Sequence, residues 1–163
     1  MTPRAKAGVV ALVVLLVVAA VTAGLLWRQN SDLRERQDVA VAETAATKEA
    51  SRIAVAMTSY DHRTVEEDFA WIEEDGTSTF QEKFGESTKP IRQLILRTQA
   101  TATGKVSDAA GNAEDAEHVE VLLFVDQQLQ RAGDDEATVD SNRVVMQMVL
   151  RDGRWLVDDV ELR

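Results

Sequence analysis

An uncharged run of 21 residues near the start of the chain constrains the protein more than any other feature. It extends from Ala7 to Trp27 and reads AGVVALVVLLVVAAVTAGLLW. As an α-helix this segment would be roughly 31 Å long, which matches the hydrocarbon core of a bilayer. Trp27 and Arg28 then follow the pattern of an aromatic interface residue and a charged stop. The run therefore predicts one transmembrane helix over residues 7–27.

Small residues recur at a spacing of four within this predicted helix. Ala19 is followed by Ala23, and Ala20 is followed by Gly24. This small-xxx-small spacing allows a neighbouring transmembrane helix to approach closely. The four residues are therefore the predicted helix-packing face of the span.

A cleaved signal peptide is the alternative interpretation of the same segment. Residues 21–23 read VTA and place small side chains where a signal peptidase could cut. The apolar run nevertheless continues to Trp27 at the full length of a span, so an uncleaved anchor is favoured. Arg4 and Lys6 favour a cytoplasmic N-terminus and an exported C-terminal domain at the cell membrane. The predicted organisation is a cytoplasmic head (1–6), the transmembrane helix (7–27), a helical stalk (28–45) and an extracytoplasmic domain (46–163).

Charge and cysteine content exclude several classes of function. Residues 1–30 contain three basic side chains and no acid, so the remainder holds 15 basic and 28 acidic groups, a net charge of −13. A domain this acidic repels phosphate backbones, and nucleic acid is therefore not expected as a partner. Without cysteine, the chain can form neither a disulfide nor a cysteine metal site.

The first part of the exported region has helical periodicity. No glycine or proline occurs between Ser31 and Asp75. Apolar residues at spacings of three and four predict one stripe along a long helix: Val39, Ala42, Ala46, Ala50, Ile53, Met57 and Tyr60. Its first turns are predicted to be a solvated stalk, and its later turns to dock on the domain.

Shorter helical patterns follow the long one. The sequence TVEE, which begins at Thr64, fits a capping box and predicts a second helix that ends at Gly76. Phe80 and Phe84 lie one turn apart and predict a short third helix. Pro90 suits the start of a fourth.

After Leu96 the apolar period changes from helical to alternating, which predicts strands. Residues 117–129 carry apolar side chains on both faces, as a central strand does. Residues 97–106 and 143–151 also alternate, and Asp152-Gly153 is a strong signal for a two-residue hairpin turn before a last strand that contains Trp155. Helices first and strands afterwards predict an α+β domain, with helices packed on one face of a four-stranded antiparallel sheet.

Motifs that carry catalysis are scarce. His62 and His118 have no partner at ligand spacing and are interpreted as solvated or capping residues. The acidic runs 66–68 and 73–75 are interpreted as solvated faces of the second helix. No motif for calcium binding, phosphate binding or nucleophilic attack is found, so no catalytic, cofactor or metal site is expected. Core packing is preferred to a lipid-accepting groove for Met57, Met146 and Met148.

The order of these parts resembles a known family. A single span precedes an alanine-rich helix that runs into Ser59-Tyr60-Asp61, then a TFQEKF segment, and finally the DGRWLV sequence at residues 152–157. In these features the chain resembles the Mce-associated membrane proteins of mycobacteria and related actinobacteria. It departs from the family pattern at residues 77–79, where a glycine is expected before the phenylalanine.

The resemblance implies a fold and a role. The fold would be a cone similar to nuclear transport factor 2 (NTF2-like), in which a curved antiparallel sheet wraps around helices. The role would be that of a non-enzymatic accessory subunit that assembles or stabilises an Mce-type lipid or sterol import complex. Its partners would be Mce transporter subunits or other envelope proteins, together with membrane lipid. The expected structural core comprises Tyr60, Phe69, Phe80, Phe84 and Trp155.

Alternative functions remain open at this point. Assembly factors of type IV secretion systems have a similar single span and cone domain, and the neighbouring genes would distinguish the two roles. Related cones also include ketosteroid isomerases, which need a general base facing hydrogen-bond donors inside an apolar pocket. Tyr60, Asp68 and Asp126 are the candidates for that chemistry, on fold analogy alone. A lipid-binding cone is a further alternative.

Overall fold

The computed structural model describes residues 34–163. Its first element is helix α1, over residues 34–58. The elements that follow are β1 (Tyr60–Asp61), α2 (Val65–Asp68), α3 (Trp71–Asp75), α4 (Ser78–Thr98), β2 (Thr101–Ala113), β3 (His118–Gln130), β4 (Thr138–Arg151) and β5 (Arg154–Leu162). Helices precede the long strands, as the sequence predicts for an α+β domain.

All five strands form one curled antiparallel sheet in the order β1-β2-β3-β4-β5. The prediction of four strands was one short, because β1 has only two residues and such a strand leaves no periodic signal. The turn between β4 and β5 has the predicted form. Asp152 (φ 51°) and Gly153 (φ 76°) both adopt the positive φ that a type I′ hairpin turn requires.

Strand β3 is the centre of the sheet, as its two-sided apolar pattern predicts. Its inward face is fully buried along Val119, Val121, Leu123 and Val125, whereas Phe124 on the other face is exposed. The facing residues of β4, Val144, Met146 and Met148, are equally buried. Two of the three methionines considered for a lipid groove therefore lie in the packed core.

Helix α1 packs through alanines. Ala42, Ala46, Ala50 and Ala54 are buried, together with Ile53. Residues 39–163 form one compact unit, and Ala42 already belongs to its core. The packed part of the helix thus includes Ala42.

Two glycines in β2 allow α1 to lie almost in contact with the sheet backbone. A Cβ atom on Gly104 would lie 1.8 Å from Thr58 Oγ1, and one on Gly111 would lie 2.4 Å from Thr47 Oγ1. Both distances are far below van der Waals contact, so any larger residue at either position would push the helix away from the strand.

The predicted second helix is divided in two. Phe69 and Ala70 separate α2 from α3, and Thr64 makes no capping hydrogen bond to the backbone. Its hydroxyl instead donates to Asp68 Oδ2 at 2.9 Å. The capping-box prediction was therefore wrong, although the chain does leave the helical conformation at Gly76 as expected.

The predicted third and fourth helices are one helix, α4, with Pro90 in its interior. Thr77 caps its start by accepting the N–H of Phe80 at 3.2 Å. Phe80 and Ile95 are buried on the same long face, so the helical period continues through Gly85 and Pro90. Burial near both ends of the helix outweighs the local preference of glycine and proline for a helix end, although Ile91, Leu94 and Leu96 remain about half exposed.

The expected core residues lie in or against the core. Phe69 and Phe80 are buried, whereas Tyr60, Phe84 and Trp155 are half-buried and pack against it. Trp71, which the sequence pattern did not single out, is the more deeply buried tryptophan of the two described. Its ring centroid lies 5.9 Å from that of Phe80 and 5.5 Å from that of Phe84.

Candidate functional site

The residues considered for isomerase chemistry do not converge on one pocket. Tyr60 packs against the core, and burial raises the pKa of its hydroxyl. Asp126 follows the buried Val125 in β3 and therefore points to the opposite, outer face of the sheet. There it accepts a hydrogen bond from Ser141 Oγ at 2.6 Å. A base at Asp126 would be separated from Tyr60 by the sheet itself.

Asp68, the third candidate, holds the loop between β1 and α2. Its Oδ2 accepts the backbone N–H of Asp61 at 2.8 Å and the hydroxyl of Thr64 at 2.9 Å. Hydrogen bonds from Arg63 hold the pKa of the neighbouring Asp61 carboxyl well below its usual range. Both carboxylates are thus engaged in local structure.

The two histidines lie far apart and have different surroundings. His118 Nδ1 lies 3.0 Å from both carboxylate oxygens of Asp115, whose Oδ1 also accepts the backbone N–H groups of Glu117 and His118. The pKa of Asp115 is lowered mainly by the hydrogen bond from the backbone N–H of Glu117, and next by the contact with the His118 ring. His118 is therefore the first residue of β3, and its ring contacts the carboxylate that closes the preceding turn. Across residues 34–163, no three metal-ligating side chains come together.

His62 lies at a polar opening of about 360 Å³ at one end of the sheet. The opening is lined by His62, Gln99, Thr101, Gln130, Arg131, Ala132, Gly133 and Asp134. Asp134 Oδ2 accepts the backbone N–H of Arg131 at 2.9 Å, so this carboxylate closes the turn between β3 and β4. Most of the side chains that line it are polar or charged.

A buried carboxylate joins the helices to the last hairpin. The side chain of Asp75 is only 7% exposed, and its Oδ1 lies 2.7 Å from Arg52 Nη2 and 3.8 Å from Arg154 Nη2. These three residues, here called the Asp75 junction, come from α3, α1 and β5. The interpretation of Asp75 as part of a solvated face was wrong, because α3 is pressed between the other two elements.

Both arginines of the junction make a second contact that fixes them. Arg52 donates from Nε and Nη2 to Glu49 Oε1, at 2.9 and 2.7 Å. Hydrogen bonds to Glu49 and then to Asp75 raise the pKa of Arg52 further above its ordinary value. Arg154 Nη2 donates to the carbonyl oxygen of Glu74 at 3.0 Å. Each arginine of the junction therefore has a second partner besides Asp75.

A cleft of about 250 Å³ opens beside this junction. One wall is Ala45 and Glu49 of α1, and the other is Gly153, Arg154 and Trp155 of the β4–β5 hairpin. We call it the Trp155 cleft. It combines an aromatic ring, a carboxylate and a guanidinium, which no sequence pattern indicated because its walls lie about a hundred residues apart.

The predicted transmembrane helix and its packing residues Ala19, Ala20, Ala23 and Gly24 lie outside the described residues. Within residues 34–163, no helix combines the length and the apolar character needed to cross a bilayer.

Solved structures similar to the chain include type IV secretion system proteins. An IcmL-like type IV secretion system protein of Legionella pneumophila has a TM-score of 0.62 at 8% identity, with 72% of this chain and 88% of that chain covered. CagV of Helicobacter pylori, a VirB8 homologue, has a TM-score of 0.58 at 9% identity, with 74% and 97% covered. At such low identity the likeness concerns the fold, which is the helix-and-curled-sheet arrangement described above.

Sequence comparisons identify relatives in mycobacteria. Outer membrane protein Rv1973 of Mycobacterium tuberculosis is 30% identical over 140 residues, which are 85% of each chain. The family model described as "Uncharacterized protein Rv1363c/MT1408-like" matches residues 4–162, which include both the predicted span and the folded domain. The chain therefore belongs to the Rv1363c/MT1408-like family.

Proposed function

We propose that the protein is a membrane-anchored, non-enzymatic accessory subunit of a cell-envelope complex, and that this complex is an Mce-type lipid importer. The observation that carries the proposal is the family match over residues 4–162, which extends through the predicted span into the domain. A relative that matches over 85% of both chains is named an outer membrane protein. The order of parts and the DGRWLV ending support the Mce assignment by resemblance.

The geometry supports a role in binding rather than in chemistry. Tyr60 and Asp126 lie on opposite faces of the sheet, and Asp68 is committed to a loop. The inward faces of β3 and β4 are filled by buried side chains. What the domain offers to other molecules is its surface, together with the predicted packing face of the span.

A role in a type IV secretion apparatus is the second candidate, and the fold likeness to IcmL-like and VirB8-type proteins favours it. The two candidates differ in the proteins that each complex contains. Purification of the full-length protein from native membranes, followed by mass spectrometry, tests both. Mce subunits are expected, and recovery of conjugation or secretion subunits in their place would support the alternative.

A pair of span variants tests how the complex is held. Ala20→Leu with Gly24→Leu removes the small residues on the predicted packing face and is expected to reduce recovery of the partner subunits. Val14→Leu with Val18→Leu is the matched control, because it adds bulk on the opposite side of the helix. Equal recovery with both pairs would contradict a packing role for Ala20 and Gly24.

A second set of variants tests the absence of catalysis. Tyr60→Phe, Asp68→Asn and Asp126→Asn remove each ionisable group at nearly constant size. Lipid uptake is expected to remain unchanged wherever circular dichroism shows that the variant folds. Loss of uptake by a folded variant that still assembles would refute the non-enzymatic role.

A further inference from the structure

We infer that the Trp155 cleft is a binding site for the arginine or lysine side chain of a partner protein. The inference goes beyond the proposed function, since it does not depend on which envelope complex contains the protein. It rests on Glu49, Trp155 and Arg154, the three functional groups that face the cleft.

Glu49 is a carboxylate that is fixed in place and only partly used. Arg52 donates from Nε and Nη2 to Glu49 Oε1, and the side chain of Glu49 is 34% exposed. Its Oε2 accepts no hydrogen bond from the residues that the structure describes. An oxygen of this kind, at the wall of a cleft, is suited to a cationic N–H donor.

Trp155 supplies the aromatic wall opposite Glu49. Trp155 is half-buried against the core and also lines the cleft. Cations are attracted to the face of an indole more strongly than to other aromatic rings. Gly153 leaves this side open, because a Cβ at that position would meet nothing within 4 Å. A carboxylate that faces an aromatic ring across a small cleft is suited to a single cationic side chain.

Arg154 opposes this assignment only weakly, because its side chain is mostly exposed and solvent screens its charge. Its Nη2 donates to the carbonyl of Glu74 and lies 3.8 Å from the buried carboxylate of Asp75. Its side chain is 66% exposed, so the other donors can bind a backbone carbonyl that accompanies the bound side chain. A peptide presents both groups together, as a basic side chain and the carbonyl beside it.

The chemistry of the cleft separates a protein partner from a lipid. A quaternary ammonium headgroup could lie on the Trp155 ring, but it has no N–H to donate to Glu49. Arginine and lysine side chains satisfy both groups at once. The net charge of −13 over residues 31–163 also favours a basic partner by long-range attraction.

The test uses the full-length protein in an uncharged detergent, with ¹⁵N-labelled tryptophan indoles observed by NMR. The probe is Nα-acetyl-arginine methylamide, and Trp155→Phe assigns the indole signal of Trp155. A saturable shift of this signal is expected. Glu49→Gln should weaken binding about fivefold, because one exposed charge pair is lost. Glu86→Gln, on an exposed part of α4, is the matched control and should leave the affinity for the arginine probe unchanged.

Two further probes complete the test, one uncharged and one a quaternary ammonium. Nα-acetyl-citrulline methylamide has the shape of the arginine probe without its charge and should not bind. Choline should bind more weakly than arginine. Equal binding of citrulline, no effect of Glu49→Gln, or no saturable shift up to about 100 mM arginine probe would overturn the inference. Stronger binding of choline would assign the cleft to a lipid headgroup in place of a protein. The unchanged signal of Trp71 reports that each variant remains folded.

Discussion

Replacing Asp75 with asparagine is expected to lower the free energy of unfolding by about 2 kcal/mol. The change keeps the size of the side chain and removes its charge from the Asp75 junction. A hydrogen bond to a charged group contributes about 1.5–3 kcal/mol, and Arg52 makes such a bond at 2.7 Å. Arg154, at 3.8 Å and mostly exposed, adds little because solvent screens it. The amide would also bury an N–H₂ group, since the second oxygen of Asp75 is buried and has no partner among residues 34–163.

Urea unfolding of the full-length protein in an uncharged detergent, followed by far-ultraviolet circular dichroism, measures this loss. Glu74→Gln is the matched control, because it changes an exposed neighbour of which the junction uses only the backbone carbonyl. Combining Asp75→Asn with Arg52→Gln should give a coupling energy of about 1 kcal/mol. If the free energy of unfolding of Asp75→Asn lies within about 0.5 kcal/mol of the wild-type value, as for an ordinary surface substitution, the junction does not stabilise the fold.

Three further outcomes are expected from the same unfolding measurement. Gly104→Ala should lower the free energy of unfolding by about 1–3 kcal/mol, because its Cβ would overlap Thr58 Oγ1. Gly85→Ala has open space in a helix interior and should raise the free energy of unfolding by about 0.5–1 kcal/mol. Equal effects of the two changes would show that α1 is not held close to β2. Trp155→Ala should cost less than the roughly 3–5 kcal/mol of a fully buried aromatic residue, because the ring is half-buried, and no loss at all would place it outside the core. Asp115 has a lowered pKa in the folded state, so its contribution is present above about pH 4 and is lost as the pH falls toward the folded pKa. Asp115→Asn should therefore weaken the acid dependence of stability, and an unchanged pH profile would contradict the turn assignment.

The strands were predictable because their signals are local. Val119 to Val125 alternate with a period of two, and Asp152-Gly153 has the chemistry that a tight hairpin requires. The helices were harder, because tertiary burial decided the outcome. Gly85 and Pro90 are helix breakers by propensity, yet α4 continues through both, because Phe80 near its start and Ile95 near its end are buried in the core.

The Asp75 junction could not be predicted, for a different reason. Asp75 ends an acidic run on a short helix, and that pattern is typical of a solvated surface. Its partners Arg52 and Arg154 lie 23 and 79 positions away, and nothing near them indicates that they meet. The same holds for Gly104, whose need for a bare backbone depends on a helix that crosses it.

The place of β5 in the sheet sets the order in which the protein can mature. Its nine residues follow all the other described elements, and they supply the fully buried Val157, the bridge from that residue to Gly76, and the Arg154 of the junction. Until those residues leave the ribosome, β4 has an unpaired edge and the helices lack their final anchor. During synthesis, the elements that precede β5 therefore lack their last partner until β5 itself has been made.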